Sequence, residues 1–305
     1  MIRIWLPEPG WVEAMGGLPD GMAADVWTGG EARPESAGQV EFVVLPFGVP
    51  DARLPVLAKL PRLRVIQLMS AGAERMLPYV PPGVTLCNAR GAHDPAVGEW
   101  IVAVILAELR HLPEFVMAQR AGTWHAIPSK PLAGQTVLIV GYGSIGAATE
   151  RLLAPFGVHV DRVARHARPG VSSLDDLPAL LPRADIVILL VPVTPATTRL
   201  ADARFLGLMH DHALLVNAAR GSIVDTAALL AELNSGRLRA ALDVTDPEPL
   251  PAGHPLWSAP NLLLTPHVAG ASTDAIPRAR AIVSAQLARY AAGQPLANVV
   301  GTQGY

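Results

Sequence analysis

Short, continuously apolar runs rich in valine, isoleucine and leucine constrain the fold of this chain more than any other feature. Ile186-Val187-Ile188-Leu189-Leu190-Val191 and Thr136-Val137-Leu138-Ile139-Val140 are the clearest. A strand with one face in water alternates polar and apolar residues. A strand with no alternation belongs to a parallel sheet covered on both faces. Further candidate strands are Ile2–Leu6, Val40–Leu45, Arg64–Leu68, Val84–Cys87, Val158–Val163, Ala213–Asn217, Ala240–Asp243 and Leu262–Leu264. Helical stretches separate most of them, which predicts a doubly wound α/β architecture. A chain of 305 residues, half of them hydrophobic, has the length and apolar content for two domains with separate cores.

Other bulk properties narrow the class. The formal net charge is −2 with no block of like charges, so no nucleic-acid or membrane-surface partner is expected. The most apolar stretches, Trp100–Ala107 and Ile186–Val193, are too short to span a bilayer. The opening Met1-Ile2-Arg3-Ile4-Trp5-Leu6-Pro7 reads as a first strand, not a signal peptide. Cys87 is the single cysteine, which suits a reducing compartment and a cytoplasmic location. Within the run Val84-Thr85-Leu86-Cys87 it reads as a buried small hydrophobe.

One segment breaks the rhythm. Asp94-Pro95 makes a good helix start, with Asp94 as cap and Pro95 in the first turn. The following Ala96–Arg110 is apolar nearly all round, so it must be buried between domains or between subunits. It reads as the crossover from a first domain into a second. Gly122–Pro131 reads as a surface loop.

The strongest local motif follows. Thr136–Val140 leads into Gly141-Tyr142-Gly143-Ser144-Ile145-Gly146 and then a helix over Ala147–Ala154. In such a strand–GxGxxG–helix unit the first glycine permits the tight turn. The second lets backbone approach a pyrophosphate, and the third packs helix on strand. The N-terminus of that helix offers N–H groups and a positive dipole end to the anion, and Ser144 and Ile145, between the second and third glycines, are expected to contact the cofactor. The motif therefore predicts a dinucleotide site.

The next strand bears on which dinucleotide binds. About 20 residues past the glycines a carboxylate would hydrogen-bond the ribose of NAD. That position is Ala164, and Arg165, His166 and Arg168 follow. Arginine pairs with a 2′-phosphate through charge-assisted bonds, so NADP(H) is the expected cofactor, with NAD(H) as the alternative. Asp161 complicates this reading, because it lies inside the strand and its direction is open.

Three later strands each run into a polar residue: Asn217-Ala218-Ala219-Arg220-Gly221, Asp246-Pro247-Glu248-Pro249 and Thr265-Pro266-His267. Strand C-terminal ends are where open α/β sheets bind ligands. Reduction of a 2-oxo acid needs a cation for the carboxylate, a proton donor for the developing alkoxide, and a group that stabilises the charged donor. Arg220 suits the first, His267 the second and Glu248 the third. No metal is called for.

At these residues the sequence resembles the D-isomer-specific 2-hydroxyacid dehydrogenase family, over nearly its whole length and most specifically from Leu132 to Ala271. The resemblance implies substrate binding by Arg220, acid/base work by His267 and support from Glu248. It implies that Asp243 lies near the nicotinamide carboxamide, and that Val191–Pro195, with Pro192 and Thr194, flanks the adenosine half. It also implies that Ser70-Ala71-Gly72-Ala73 presents the Ala71 and Gly72 amides to the substrate carboxylate.

The family fold places a Rossmann cofactor domain (94–280) inside a split flavodoxin-like substrate domain (1–93 and 281–305), whose last helix covers about Ala281–Tyr290. The active site is expected in the cleft between them. A homodimer is implied too, with Ala96–Arg110 contributing. Glu248 argues against the formate dehydrogenases, which carry glutamine there. A chain ending at Tyr305 leaves no room for the regulatory domain of many phosphoglycerate dehydrogenases. The Arg165/Arg168 pattern resembles NADPH-preferring glyoxylate and hydroxypyruvate reductases. The competing expectation is a non-catalytic, dinucleotide-sensing protein like the corepressors that share this fold.

Overall fold

The computed structural model describes residues 1–301 and divides into two compact units. One comprises Met1–His93 together with the chain from Thr273 on, and the other is Asp94–Ser272. Residues 302–305, assigned from the sequence to the first domain, lie outside the described residues.

The first unit opens with strand β1 (Ile2–Leu6), the short helix α1 (Trp11–Ala14) and β2 (Met22–Val26). Strands β3 (Val40–Val44), β4 (Val65–Gln67) and β5 (Thr85–Cys87) follow, linked largely by 3-10 turns. Among the described residues these make a five-stranded, all-parallel sheet in the order β2-β1-β3-β4-β5. That is the flavodoxin-like order. Side chains alternate between two cores: Ile4 and Leu6 of β1 pack on one face and Trp5 on the other. Strand β2 was not expected. It is an edge strand of Met, Ala, Ala, Asp and Val with no fully buried residue, so it lacks the apolar signature of the central strands.

The second unit begins with α2 (Asp94–Leu109) and α3 (Leu112–Arg120). It continues through β6 (Thr136–Val140), α4 (Ser144–Leu153), β7 (His159–Val163), α5 (Leu177–Leu180), β8 (Ile186–Leu189) and α6 (Ala203–Leu208). Strand β9 (Leu214–Asn217), α7 (Thr226–Asn234), β10 (Arg239–Leu242) and β11 (Leu262–Leu264) complete it. The parallel sheet runs β11-β10-β9-β8-β6-β7. A parallel rung from Val163 to Ser172 extends it beyond β7. Counting that rung as a third strand, the order is the 3-2-1-4-5-6 of dinucleotide-binding sheets plus β11. Val137 and Ile139 of β6 enter one core, Leu138 and Val140 the other. All four are fully buried, each stabilising the fold by roughly 1.5–3 kcal/mol.

Several boundaries differ from expectation. Asp94 is the first residue of α2, not its cap, and its buried Oδ1 has no hydrogen-bond partner. Helix α3 was not foreseen, because none of its residues is buried and its periodicity has no core to serve within the chain. Helix α4 starts at Ser144, directly after Gly143. A 3-10 turn then carries the chain to Gly157, whose φ of 67° stops it. Residues 123–131 form an extended loop with Trp124 fully exposed.

The last helix, α8 (Ala275–Ala291), returns to the first unit. It begins before Ala281 because Pro277 sits in its first turn, where the missing N–H is not needed. Its buried Gln286 donates to Gln67 Oε1 at 3.2 Å and to the Ala297 carbonyl at 2.8 Å. Val299 then bridges Cys87 antiparallel, covering the outer edge of β5. Burial pushes the Cys87 thiol up to about 11 against the opposing Gln286 hydrogen bond. The side chain is thus an inert core group at neutral pH. No helix among the described residues is long and apolar enough to cross a membrane.

Glu108 on α2 is the least expected core residue. It is 6 % exposed, and burial pushes its carboxyl from an ordinary 4.5 to about 7, with Arg239 pulling against that. The folded chain holds this proton over a range where the unfolded chain has lost it. Stability from this group is therefore present below pH 4.5 and lost as pH rises towards 7, by up to roughly 3 kcal/mol. Glu108→Gln is expected to raise Tm above wild type at pH 8 and to match it near pH 4.5. An offset equal at both pH values in thermal denaturation would refute the assignment.

Candidate active site

The glycine loop, Gly141–Gly146, sits where the chain turns from β6 into α4. Gly141 has φ 105°, and a Cβ there would lie 2.4 Å from the Leu190 carbonyl carbon, just past β8. No side chain fits between these strand ends. The Gly141 and Tyr142 N–H groups both donate to the Val163 carbonyl at 2.8 Å, tying the loop to the end of β7. A Cβ on Gly146 would press on Ile139 and Tyr142 at 3.2 Å, whereas at Gly143 it would meet only the Gly141 carbonyl oxygen, at 4.0 Å. Ser144 and Ile145 form the start of α4, whose N-terminus no side chain caps. The loop therefore has the open backbone and free helix start that a pyrophosphate needs. These features fit a dinucleotide.

The turn after β7 carries Arg165, His166 and Arg168, all exposed. Arg168 reaches back to the glycine loop and donates to the Tyr142 carbonyl at 2.8 Å. Asp161 is paired with Arg183 at 2.8 Å. Across the β6/β8 junction, Pro192 and Thr194 lie in a loop organised by Thr197. That hydroxyl donates to the Pro192 carbonyl at 2.6 Å and accepts from the Thr194 N–H at 2.8 Å. Thr197 is buried and was not singled out from the sequence, although Thr-Pro-Ala-Thr-Thr is a pattern that favours such local side-chain turns.

Three adjacent strands, β9, β10 and β11, deliver the remaining groups from their C-terminal ends. At the end of β9, buried Asn217 shapes the turn that follows: its amide donates to the Arg220 carbonyl at 2.9 Å and its oxygen accepts from the Ala219 N–H at 3.0 Å. Arg220 Nη1 donates to the Ala219 carbonyl at 2.7 Å. Gly221 then packs against the loop after β10, where a Cβ would come within 1.9 Å of the Thr245 carbonyl carbon and oxygen. The loops bearing Arg220 and Glu248 are thus in backbone contact. Neither Asn217 nor Gly221 has a sequence signature beyond its place at a strand end.

Glu248 and His267 meet directly, with Glu248 Oε1 2.5 Å from His267 Nδ1. Both side chains are roughly half-exposed, so the imidazole is held at one nitrogen and presents Nε2 away from the carboxylate. His267 has φ 56°, a left-handed conformation uncommon for a non-glycine residue. Its N–H donates to the Asp243 carbonyl at 2.7 Å. The Asp243 carboxylate, only 3 % exposed, accepts from Thr265 Oγ1 at 2.6 Å, Val268 N–H at 2.8 Å and Ala269 N–H at 2.9 Å. It clamps both sides of the histidine.

In the first unit, the Ser70–Ala73 loop follows β4. Asn88 donates to the Ala71 carbonyl at 2.7 Å, and Ser70 Oγ to the Gly72 carbonyl at 2.9 Å. Ala71 and Gly72 are part-buried. Among the described residues no cluster of three or more His, Cys, Asp or Glu could hold a metal.

Comparisons with known proteins bear on the family and the fold. Residues 102–269 match the family described as D-isomer specific 2-hydroxyacid dehydrogenase, NAD binding domain. A glyoxylate reductase of Thermofilum pendens is 35 % identical over 235 residues, covering 72 % of this chain and 69 % of that protein. A D-isomer specific 2-hydroxyacid dehydrogenase of Xanthobacter autotrophicus Py2, solved with NADPH and MES, superposes with TM-score 0.85 at 28 % identity. That match covers 99 % of this chain and 98 % of the other. An NADPH-dependent glyoxylate/hydroxypyruvate reductase of Sinorhizobium meliloti, in complex with NADP and sulfate, gives TM-score 0.84 at 28 % identity with complete coverage of both. On this sequence match and fold, the chain belongs to the D-isomer specific 2-hydroxyacid dehydrogenase family and is an NAD(P)-dependent enzyme.

Proposed function

We propose that this enzyme reduces small 2-oxo acids with NADPH, with glyoxylate or hydroxypyruvate as the type of substrate. The observation that carries the reading is the 2.5 Å pair of Glu248 and His267 beside the Arg220 loop, in the same unit as the glycine loop. In this reading Asp94–Ser272 is the cofactor domain and the other unit binds substrate.

When bound, the nicotinamide supplies the hydride. The protein's own groups do the rest. Arg220 grips the substrate carboxylate through a guanidinium fork that matches it, with the Ala71 and Gly72 amides assigned the same role by family resemblance. His267 gives the proton at Nε2 to the oxygen that becomes the hydroxyl. Glu248 accepts from Nδ1, which fixes the ring's orientation and balances the charge of the imidazolium. Asp243 is assigned the carboxamide end of the cofactor, alongside its hold on the loop at residues 265–269.

Preference for NADPH is supported by the turn after β7. Ala164 stands where an NAD-binding carboxylate would be, and Asp161 is engaged by Arg183. Arg165, His166 and Arg168 line the exposed turn. The relatives named as reductases support the 2-oxo acid reading over a purely sensory one.

A homodimer is also part of the reading. Helix α3 buries none of its nine residues, yet Leu112, Val116 and Met117 are about half-exposed or more. With α2 beside it, such a face suits a second copy. The buried, lone Cys87 supports a cytoplasmic setting.

NADPH and NADH oxidation with a panel of 2-oxo acids tests the function. Glyoxylate or hydroxypyruvate is expected to be the best substrate with NADPH, and a chain inactive on every 2-oxo acid would overturn the reading. His267→Ala should lower turnover by about 10²–10⁴-fold while NADPH binding, read by fluorescence, stays nearly unchanged. Retained turnover would remove His267 from the mechanism. Sedimentation should give the mass of two chains, and Val116→Glu with Met117→Glu should give that of one. An unchanged dimer in that variant would exclude α3 from the interface.

A further inference from the structure

The glycine motif leaves its second position open, and here it is Tyr142. Its aromatic ring plays no part in the turn itself, yet it is the centre of a charged cluster. The phenol donates to Glu150 Oε2 at 2.5 Å. Glu150, on α4, is gripped from the other side by Arg162 of β7, through Nε at 2.8 Å and through Nη2. The Arg162 guanidinium holds the Glu150 carboxyl below its ordinary range, so the two charges neutralise each other. The Tyr142 ring is fixed at its oxygen by Glu150 and at its backbone by the N–H bond to Val163.

Two guanidinium groups lie against this ring. Arg162 is 5.6 Å from its centroid and Arg168 is 5.9 Å, both within cation–π range. Their circumstances differ. Arg162 is committed to Glu150. Arg168 touches a ring and a carbonyl, neither of which carries a negative charge, so its own charge stays available to an anion. It also lies on an exposed turn, where an arginine unsupported by packing would spend its time among many rotamers. The ring and the Tyr142 carbonyl together confine it beside the glycine loop.

We propose that Tyr142 is a positioning residue: its ring holds Arg168 where the 2′-phosphate of NADPH binds, and so sets part of the preference for NADPH over NADH. The inference rests on the cofactor reading above. It adds a residue from the glycine loop to a discrimination otherwise attributed to the turn after β7. Glu150 and Arg162 act one step further back, by fixing the ring.

The test uses the full chain, with affinities for NADPH and NADH read by nicotinamide fluorescence. Tyr142→Leu removes the ring but keeps the carbonyl, and Tyr142→Phe keeps the ring but loses the bond to Glu150. Tyr142→Leu is expected to lower the NADPH-over-NADH affinity ratio by about two- to five-fold, entirely through NADPH. Tyr142→Phe should keep most of the ratio. In an Arg168→Ala background Tyr142→Leu should have no further effect on it, since the ring then has nothing to hold.

Equal weakening of both cofactors by Tyr142→Leu would mark a merely structural role and overturn the proposal. So would an unchanged ratio, or an effect that persists without Arg168. Competition by 2′,5′-ADP and 5′-AMP separates the two levels. A wild-type chain that binds both alike overturns the NADPH reading itself, and the proposal with it. Tighter 2′,5′-ADP binding with no effect of Tyr142→Leu overturns the proposal alone.

Discussion

The carboxylate of Asp243 is the interaction on which the site depends. It is almost wholly buried and accepts three hydrogen bonds from Thr265, Val268 and Ala269. A buried charge is tolerable only when it is bonded in this way. The same bonds satisfy two backbone N–H groups that would otherwise be stranded. They join the end of β10 to the loop after β11 and hold His267 at a positive φ. The histidine therefore meets Glu248 because a neighbouring strand dictates the path of its backbone. Local preference alone would not put a β-carbon-bearing residue there.

The sheet supplies the second constraint. In a doubly wound sheet the strands on either side of the switch point send their connections to opposite faces, which leaves a crevice at their C-terminal ends. Here that point lies between β6 and β8, and Gly141 abuts Leu190 and Val191 across it. The end of β7 is bonded to the same loop. Thus the glycine loop, the arginine turn and the Thr197-braced loop are neighbours by topology. The Arg220, Glu248 and His267 loops then follow from the ends of the next three strands along the same edge.

Much of this could be read from the residues in order. Continuously apolar runs marked the buried central strands, and strand–glycine–helix succession marked the tight glycine loop between β6 and α4. Strand-end polarity marked Arg220, Glu248 and His267. What escaped was whatever depends on contacts distant in sequence. Edge strand β2 has Ala23, Ala24 and Asp25 where a central strand would have branched apolar residues. Helix α3 has no fully buried residue, so its apolar residues leave little core signal. The direction of Asp161 became definite only with Arg183 as its partner, 22 residues on. Asn217, Gly221 and Thr197 act through turns and close backbone approaches that leave no periodic trace. The Tyr142–Glu150–Arg162 cluster joins a loop, a helix and a strand.

The central claim is that a guanidinium and a carboxylate-supported imidazole address one substrate. A crystal structure of the chain with NADPH and oxamate, an unreactive analogue of a 2-oxo acid, tests it most directly. The account predicts His267 Nε2 within about 3 Å of the oxamate amide-carbonyl oxygen, which occupies the place of the ketone, with the Arg220 guanidinium paired to its carboxylate. Oxamate bound in full occupancy with His267 turned away, or with its carboxylate held by groups other than Arg220, would contradict it.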